Sequence, residues 1–237
     1  MFFVSKKSLP SWLMEAPLLV LFVLVLLPLA LKSLGVFGLS QENIIILAMV
    51  LQQVGFLLGT FILKKRHPVH PTDILDTRFE WKAFWRSLLW VPAIVLINVL
   101  GIVLSTQLFT PLLGADRLQS ILLQETSRVN IFLLSSWRLV VATIMVCVVG
   151  PISEELFFRG FFLSRAVHTY SQTVGYLLTS LFFVLPHLYL INSIPIFLLS
   201  LVLCYIALNE NLWAAVGAHV FFNTVVFLNV LLRAGVG

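Results

Sequence analysis

Seven apolar stretches, 12–31, 43–63, 84–105, 138–163, 173–190, 194–208 and 212–232, take up most of the chain. A helix of about 20 apolar residues crosses the hydrocarbon of a bilayer. Inside lipid every backbone N–H and C=O needs a partner within the protein. The sequence therefore predicts an all-α fold, a polytopic transmembrane helical bundle with about 7–8 spans. The sixth stretch is short and reads as tilted or as borrowing residues from its flanks. Between the third and fourth, "RLQSILLQETSRV" sets Leu118, Ile121, Leu122 and charges at helical spacing, as in an interfacial amphipathic helix or an eighth, partial span.

Composition agrees. Of 237 residues, 60% are hydrophobic and 11% charged, and the mean hydropathy is +1.05. A soluble domain of this length needs far more polar surface. Residues 1–237 read as a single transmembrane domain, with no repeat, no low-complexity segment and no room for a separate soluble unit. Cys147 and Cys204 fall in apolar runs and read as small core residues rather than a disulfide. The net charge of +5 suits anionic lipid headgroups and does not point to nucleic acid. The first apolar run lacks a small-residue cleavage site and reads as a span, not a removable signal.

Lys and Arg gather on the cytoplasmic side of membrane proteins. Lys6 and Lys7 precede the first span; Lys64, Lys65 and Arg66 follow the second. Arg78, Lys82 and Arg86 precede the third, and Arg165 falls between the fourth and fifth. A cytoplasmic N-terminus in the cell membrane places all of these inside. It leaves Lys32, Arg117, Arg128, Arg138 and Arg233 outside.

Charges within spans are costly and mark function by default. The fourth span holds Glu154, Glu155 and Arg159, the fifth His187, and the seventh His219 and Asn223. Counted from the turn near 168–171, Glu154 and His187 both lie roughly 20–25 Å deep at 1.5 Å per residue. His219 and Asn223 come to overlapping depths from the same face, about 12 and 18 Å. Glu155 and Arg159 are i, i+4 and can pair along one helix face; His219 and Asn223 are also i, i+4 and present two donors to one cavity. Glu154 and Glu155 point about 100° apart, so one can face a cavity while the other meets Arg159. Taken singly, each of these has an ordinary structural reading: an ion pair holding helices together, a buried hydrogen-bonding His, interhelical polar glue. A carboxylate, two imidazoles and an amide at one depth go beyond what packing needs. Gln52, Gln53 and Asn98 read as packing residues, and His67 and His70 as solvated loop residues.

A carboxylate beside an imidazole can activate water, and a second imidazole with an amide can donate to a developing oxyanion. That set suits hydrolysis of an acyl bond such as a peptide. The sequence has no HExxH zinc helix and no GxSxG elbow. No Asp lies in any predicted span, which excludes an aspartyl pair. Glu and two His could still hold Zn²⁺ with one open position, and ligand types alone do not separate the two kinds of activated water.

"EELFFR" (154–159), "FVLPH" (183–187) and "HVFFN" (219–223) resemble the EExxxR, FxxxH and HxxxN signatures of the CAAX protease and bacteriocin-processing family of intramembrane proteases. The resemblance covers about a third of the chain, within a catalytic motif region of about 138–232. It implies that Glu154 and His187 activate the attacking water. His219 and Asn223 would form the oxyanion hole, with Glu155 and Arg159 as the supporting pair. It favours a metal-free glutamate mechanism, with no cofactor, over a zinc metalloprotease. The substrates implied are membrane-associated peptides or proteins within lipid. Short loops and compact length look like a bacterial member. The alternative in the same family is a non-catalytic bacteriocin-immunity or membrane interaction protein that binds a peptide in the same cavity. A transporter with a buried proton-coupling set would favour inverted repeats, and none is evident.

Overall fold

The computed structural model describes residues 10–33, 38–68, 75–127 and 136–233. Lys6, Lys7, His70 and Arg128, which enter the charge and loop expectations, lie outside these. Among the described residues the fold is all helix and connection, with no strand. Helix α1 covers 12–33 and α2 Gln41–Arg66. They are followed by α3 (Trp81–Leu113), α4 (Ala115–Ser127), α5 (Ser136–Thr169), α6 (Gln172–Val184), α7 (Ser193–Asn209) and α8 (Leu212–Arg233). Four of these, α2, α3, α5 and α8, are long and apolar enough to cross a membrane, while α7 is apolar but shorter. Leu89, Leu112 and Leu232 are each more than three-quarters exposed. Side chains this apolar on the outside of a bundle suit lipid rather than water. The protein is a multi-pass membrane protein.

Short connections cap the helices with their own polar side chains. Ser40 and Ser171 accept from the backbone N–H groups of Asn43 and Val174, and Asn211 Oδ1 accepts from Ala214 N–H at 2.8 Å. Each satisfies one donor that the first helical turn leaves open. At one end of the bundle His67, Asp76 and Glu80 meet Arg165, Leu212 and Asn211. At the other, Asn43 meets Arg138, and α4 meets the connection before α7.

Two helix ends and one loop residue differ from the sequence reading, each for a local reason. The fourth span was expected to stop at 163, but α5 runs on to Thr169. Arg165 is therefore not in a loop but 4% exposed, its guanidinium donating to the carbonyls of Phe161 and His67. His67, expected to be solvated, caps α2, and its Nε2 lies 3.1 Å from Glu15 Oε2. The fifth span was drawn to 190, but α6 ends at Val184 and tightens into a 3₁₀ turn over Leu185–His187. Pro186 has no N–H to continue the ladder, and Leu188 then reverses the chain at φ 51°, ψ 39°. A left-handed non-glycine residue costs about 1–2 kcal/mol and persists only where its surroundings hold it.

Close approaches set the positions of the polar helices. Gly217 of α8 lies so near α3 that a Cβ there would collide with Ser87 Oγ. Ala214, Ala215 and Ala218 are fully buried around it. Small residues let helix backbones approach within a membrane. Phe157, Phe158, Phe161 and Phe162 of α5 pack with Phe56, Phe182 and Phe183. Cys147 and Cys204 are buried and free, as small core residues.

Candidate active site

Helix α5 reaches the site through two wide turns. Met145–Val149 and Phe158–Leu163 are π-helical and flank the segment that holds both glutamates. Wide turns rotate a helix face and loosen its backbone ladder, and they recur at functional sites. A Cβ on Gly150 would stand 2.7 Å from the Met145 carbonyl, so the first wide turn needs glycine there. The angular separation of two adjacent helical residues, about 100°, divides the surroundings of the two glutamates. Glu155 is 0% exposed and meets Arg159, while Glu154 lines a cavity.

The cavity measures about 190 Å³ and is lined by Gln52, Phe56, Glu154, Phe158, Pro186, His187 and Tyr189. His187 Nδ1 lies 2.8 Å from the Phe183 carbonyl oxygen. A carbonyl can only accept, so Nδ1 carries a proton, and in the neutral imidazole Nε2 then keeps its lone pair. Glu154 Oε2 stands 3.9 Å from His219 Nε2. Glu154 of α5 and His187 of the turn after α6 thus share one space, and His219 of α8 lies buried beside Glu154 without lining it.

Behind them lies a buried charge network. Arg159 Nη1 donates to Glu155 Oε1 at 2.7 Å, while Nη2 donates to the Ser200 hydroxyl and carbonyl of α7. The guanidinium lies 4.6 Å from the Phe183 ring centre. The same Glu155 oxygen lies 2.9 Å from His219 Nδ1. Opposite charges 0% exposed on both sides need such a pairing, since an unpaired buried charge is very unfavourable. The expected i, i+4 pair is therefore formed, and it also orients an imidazole. Depth counting put His219 shallower than the glutamates. In the structure they meet, and the start of α8 is covered by protein: Leu212 is 1% exposed, and its N–H donates to the Asp76 carbonyl.

Asn223 stands apart. Its Nδ2 donates to the Val146 carbonyl, in the first wide turn of α5, at 3.0 Å, and Asn223 does not line the cavity. The expectation that it opens into the same space as Glu154 and His187 does not hold in this geometry. A loosened turn leaves a carbonyl in need of a donor, and one of the two amide N–H groups supplies it. Gln52, read as a packing residue, instead lines the cavity beside Glu154. Gln53 does pack, buried with its amide oxygen accepting from the Ser153 hydroxyl. Tyr189 was not singled out; it comes directly after the αL turn at Leu188, which no periodicity announces.

Among the described residues no group of three His, Cys, Asp or Glu is arranged to hold a metal ion. Both imidazoles have Nδ1 against protein oxygens, which leaves Nε2 of each for chemistry.

Residues 136–225 match the family model Rce1-like, described as type II CAAX prenyl endopeptidase Rce1-like. Over this segment the chain is similar to the Rce1-like CAAX endopeptidases. The Rce1-like segment contains all six motif residues, Glu154, Glu155, Arg159, His187, His219 and Asn223. It begins where α5 begins, at Ser136, and takes in α6, α7 and the first part of α8. No curated protein and no solved structure matches the chain.

Proposed function

We propose that this protein is an intramembrane endopeptidase that hydrolyses peptide bonds of membrane-associated peptide or protein substrates. The observation that carries this reading is the shared cavity of Glu154 and His187, with His219 Nε2 3.9 Å from the Glu154 carboxylate. The Rce1-like match supports the same class of reaction.

In this mechanism Glu154 takes a proton from a water in the cavity as that water attacks the scissile carbonyl. The Nε2 lone pair of His187 orients the same water and shares its proton. Negative charge then develops on the carbonyl oxygen. His219, held through Nδ1 by Glu155, and the free N–H of the Asn223 amide stabilise it. As this intermediate collapses the C–N bond breaks, and Glu154 returns the proton it took from water to the leaving nitrogen, which departs as the amine. Glu155 and Arg159 keep His219 in place. A modest rotation of Asn223 toward the cavity would accompany substrate binding, since catalytic hydrogen bonds tighten only in the complex. No step needs a metal, and among the described residues the donor set does not form a ligand cluster.

The bundle fits a seven-pass arrangement, with α1, α6 and α7 completing the four long spans and α4 lying along one interface. Lys64, Lys65, Arg66, Lys82 and Arg86 share one end of the bundle with the start of α1, where Glu15 pairs with Arg66. By the positive-inside rule this end, and with it the N-terminus, faces the cytoplasm; the membrane we assign is the cell membrane. The chain works as one transmembrane domain, with its catalytic region at about 138–232.

The test is hydrolysis itself. The protein in lipid nanodiscs, given a library of membrane-anchored peptides in H₂¹⁸O, should release two fragments per cleavage with ¹⁸O in the new carboxylate. Intact peptides after exhaustive incubation, with the protein folded, would refute the reading.

A further inference from the structure

The amphipathic helix α4 carries a carboxylate that the proposed chemistry does not use. Glu125 is only 6% exposed, although it belongs to a helix whose other charges face outward. Its Oε1 accepts from the backbone N–H groups of Leu190 at 2.7 Å and Ile191 at 3.1 Å. Its Oε2 accepts from Asn192 N–H at 3.2 Å and from Asn192 Nδ2 at 2.7 Å. Four donors thus converge on one side chain from 65 to 67 residues away in sequence. Three of the donors are backbone N–H groups of the segment that leads into the N-terminus of α7, where open N–H groups and the helix dipole both favour an anion, and the fourth is the Asn192 side-chain amide.

The connection so held is short. It starts at His187, turns through the left-handed Leu188, and gives Tyr189 to the cavity before Glu125 gathers residues 190–192. A left-handed leucine stays in that conformation only if the backbone next to it is fixed. Glu125 holds the backbone two to four residues further on.

We propose that Glu125 is a positioning residue. Its carboxylate clamps residues 190–192 and thereby holds the turn after His187, so that the His187 imidazole faces the Glu154 carboxylate. This assigns α4 a part in the site that its sequence pattern does not suggest. The role in turnover rests on the protease reading; the clamp does not.

Wild type, Glu125→Ala and Glu125→Gln would be compared in nanodiscs for cleavage of a membrane-anchored peptide and for amide hydrogen exchange. Displacing a catalytic group by about 1 Å can cost on the order of 10²-fold in rate. Glu125→Ala should lose about that much in kcat with KM little changed, because His187 acts in the transition state rather than in binding. Its amides at 190–192 should exchange faster, while those of α5 and α8 stay as slow as in wild type. Glu125→Gln keeps the bulk and one acceptor oxygen and should fall between the two on both measures, which keeps the test open should the alanine variant misfold. Wild-type kcat in a folded Glu125 variant would overturn the proposal, as would unchanged exchange at 190–192. If no variant cleaves, wild type included, but exchange at 190–192 quickens as expected, the protease reading falls and the clamp stands.

Discussion

Glu155 Oε1 lies 2.9 Å from His219 Nδ1, on the same oxygen that receives Arg159 at 2.7 Å. One carboxylate oxygen therefore joins a guanidinium on its own helix to an imidazole on another. Glu155 and Arg159 cancel in net charge, so together they orient His219 without leaving a lone ion in the membrane interior. This gives a physical reason for placing two charges where lipid would exclude them.

Arg159→Ala should break that balance. It strands the Glu155 carboxylate, and stranding one partner of a buried pair costs about 3–5 kcal/mol. Thermal unfolding in detergent should shift down clearly, with activity lost alongside. Full loss of activity at unchanged unfolding temperature would instead place Arg159 among the groups that touch the substrate.

Asn223→Ala removes the donor to the Val146 carbonyl and the amide assigned to the oxyanion. The first effect should lower stability by about 1–3 kcal/mol. The second should lower kcat by about 10²–10³-fold with KM little changed. Steady-state kinetics beside thermal unfolding separates them. A stability loss with kcat preserved would confine Asn223 to bracing the wide turn of α5.

The motifs at 154–159 and 219–223 were legible because each is an i, i+4 or adjacent pattern on one helix, and helical geometry alone says which pairs can meet; the one at 183–187 runs from α6 into the 3₁₀ turn that follows it. The division of labour between Glu154 and Glu155 came from their offset of about 100° around the helix, and the structure has it so. What was not legible depends on long-range fit. Gln52 sits in a span with no neighbour in sequence to give it a partner, so it read as packing. Glu125 belongs to an amphipathic helix, where a carboxylate ordinarily faces water, and nothing local says that residues 190–192 come to it. The early end of α6 was partly written in Pro186, but the left-handed Leu188 was not. The cover over the start of α8 escaped counting because it comes from the segment 75–80, which no periodicity marks.

That segment offers a pH test away from the membrane. Asp76, whose carbonyl receives Leu212 N–H, has its carboxylate held by Arg78 through side-chain and backbone hydrogen bonds. These lower its pKa from 3.8 to about 2. A depressed carboxylate pKa stabilises the folded form above the unfolded value, and the contribution is lost as pH falls through the folded one. The window is thus about pH 4 down to about 2. The pair is exposed, so its effect on overall stability should be small. NMR titration should find Asp76 near 2, and Arg78→Ala should return it toward the ordinary carboxylate range. A titration near 4 in the unaltered protein would contradict the Arg78 contact.

Metal removal separates the two kinds of activated water. Peptide cleavage should survive exhaustive chelation, and elemental analysis of the purified protein should find no stoichiometric zinc. Activity lost to the chelator and restored by Zn²⁺ would turn Glu154, His187 and His219 into ligands and replace the metal-free mechanism.

The central claim is that Glu154 is the base. Glu154→Gln keeps its size and hydrogen bonding but cannot take a proton. Single-turnover cleavage by this variant, with peptide binding measured in parallel, should be slower by about 10²–10⁴-fold or more, the usual worth of acid–base catalysis, while affinity for the peptide is retained. A Glu154→Gln variant that cleaves at the wild-type rate would contradict the account.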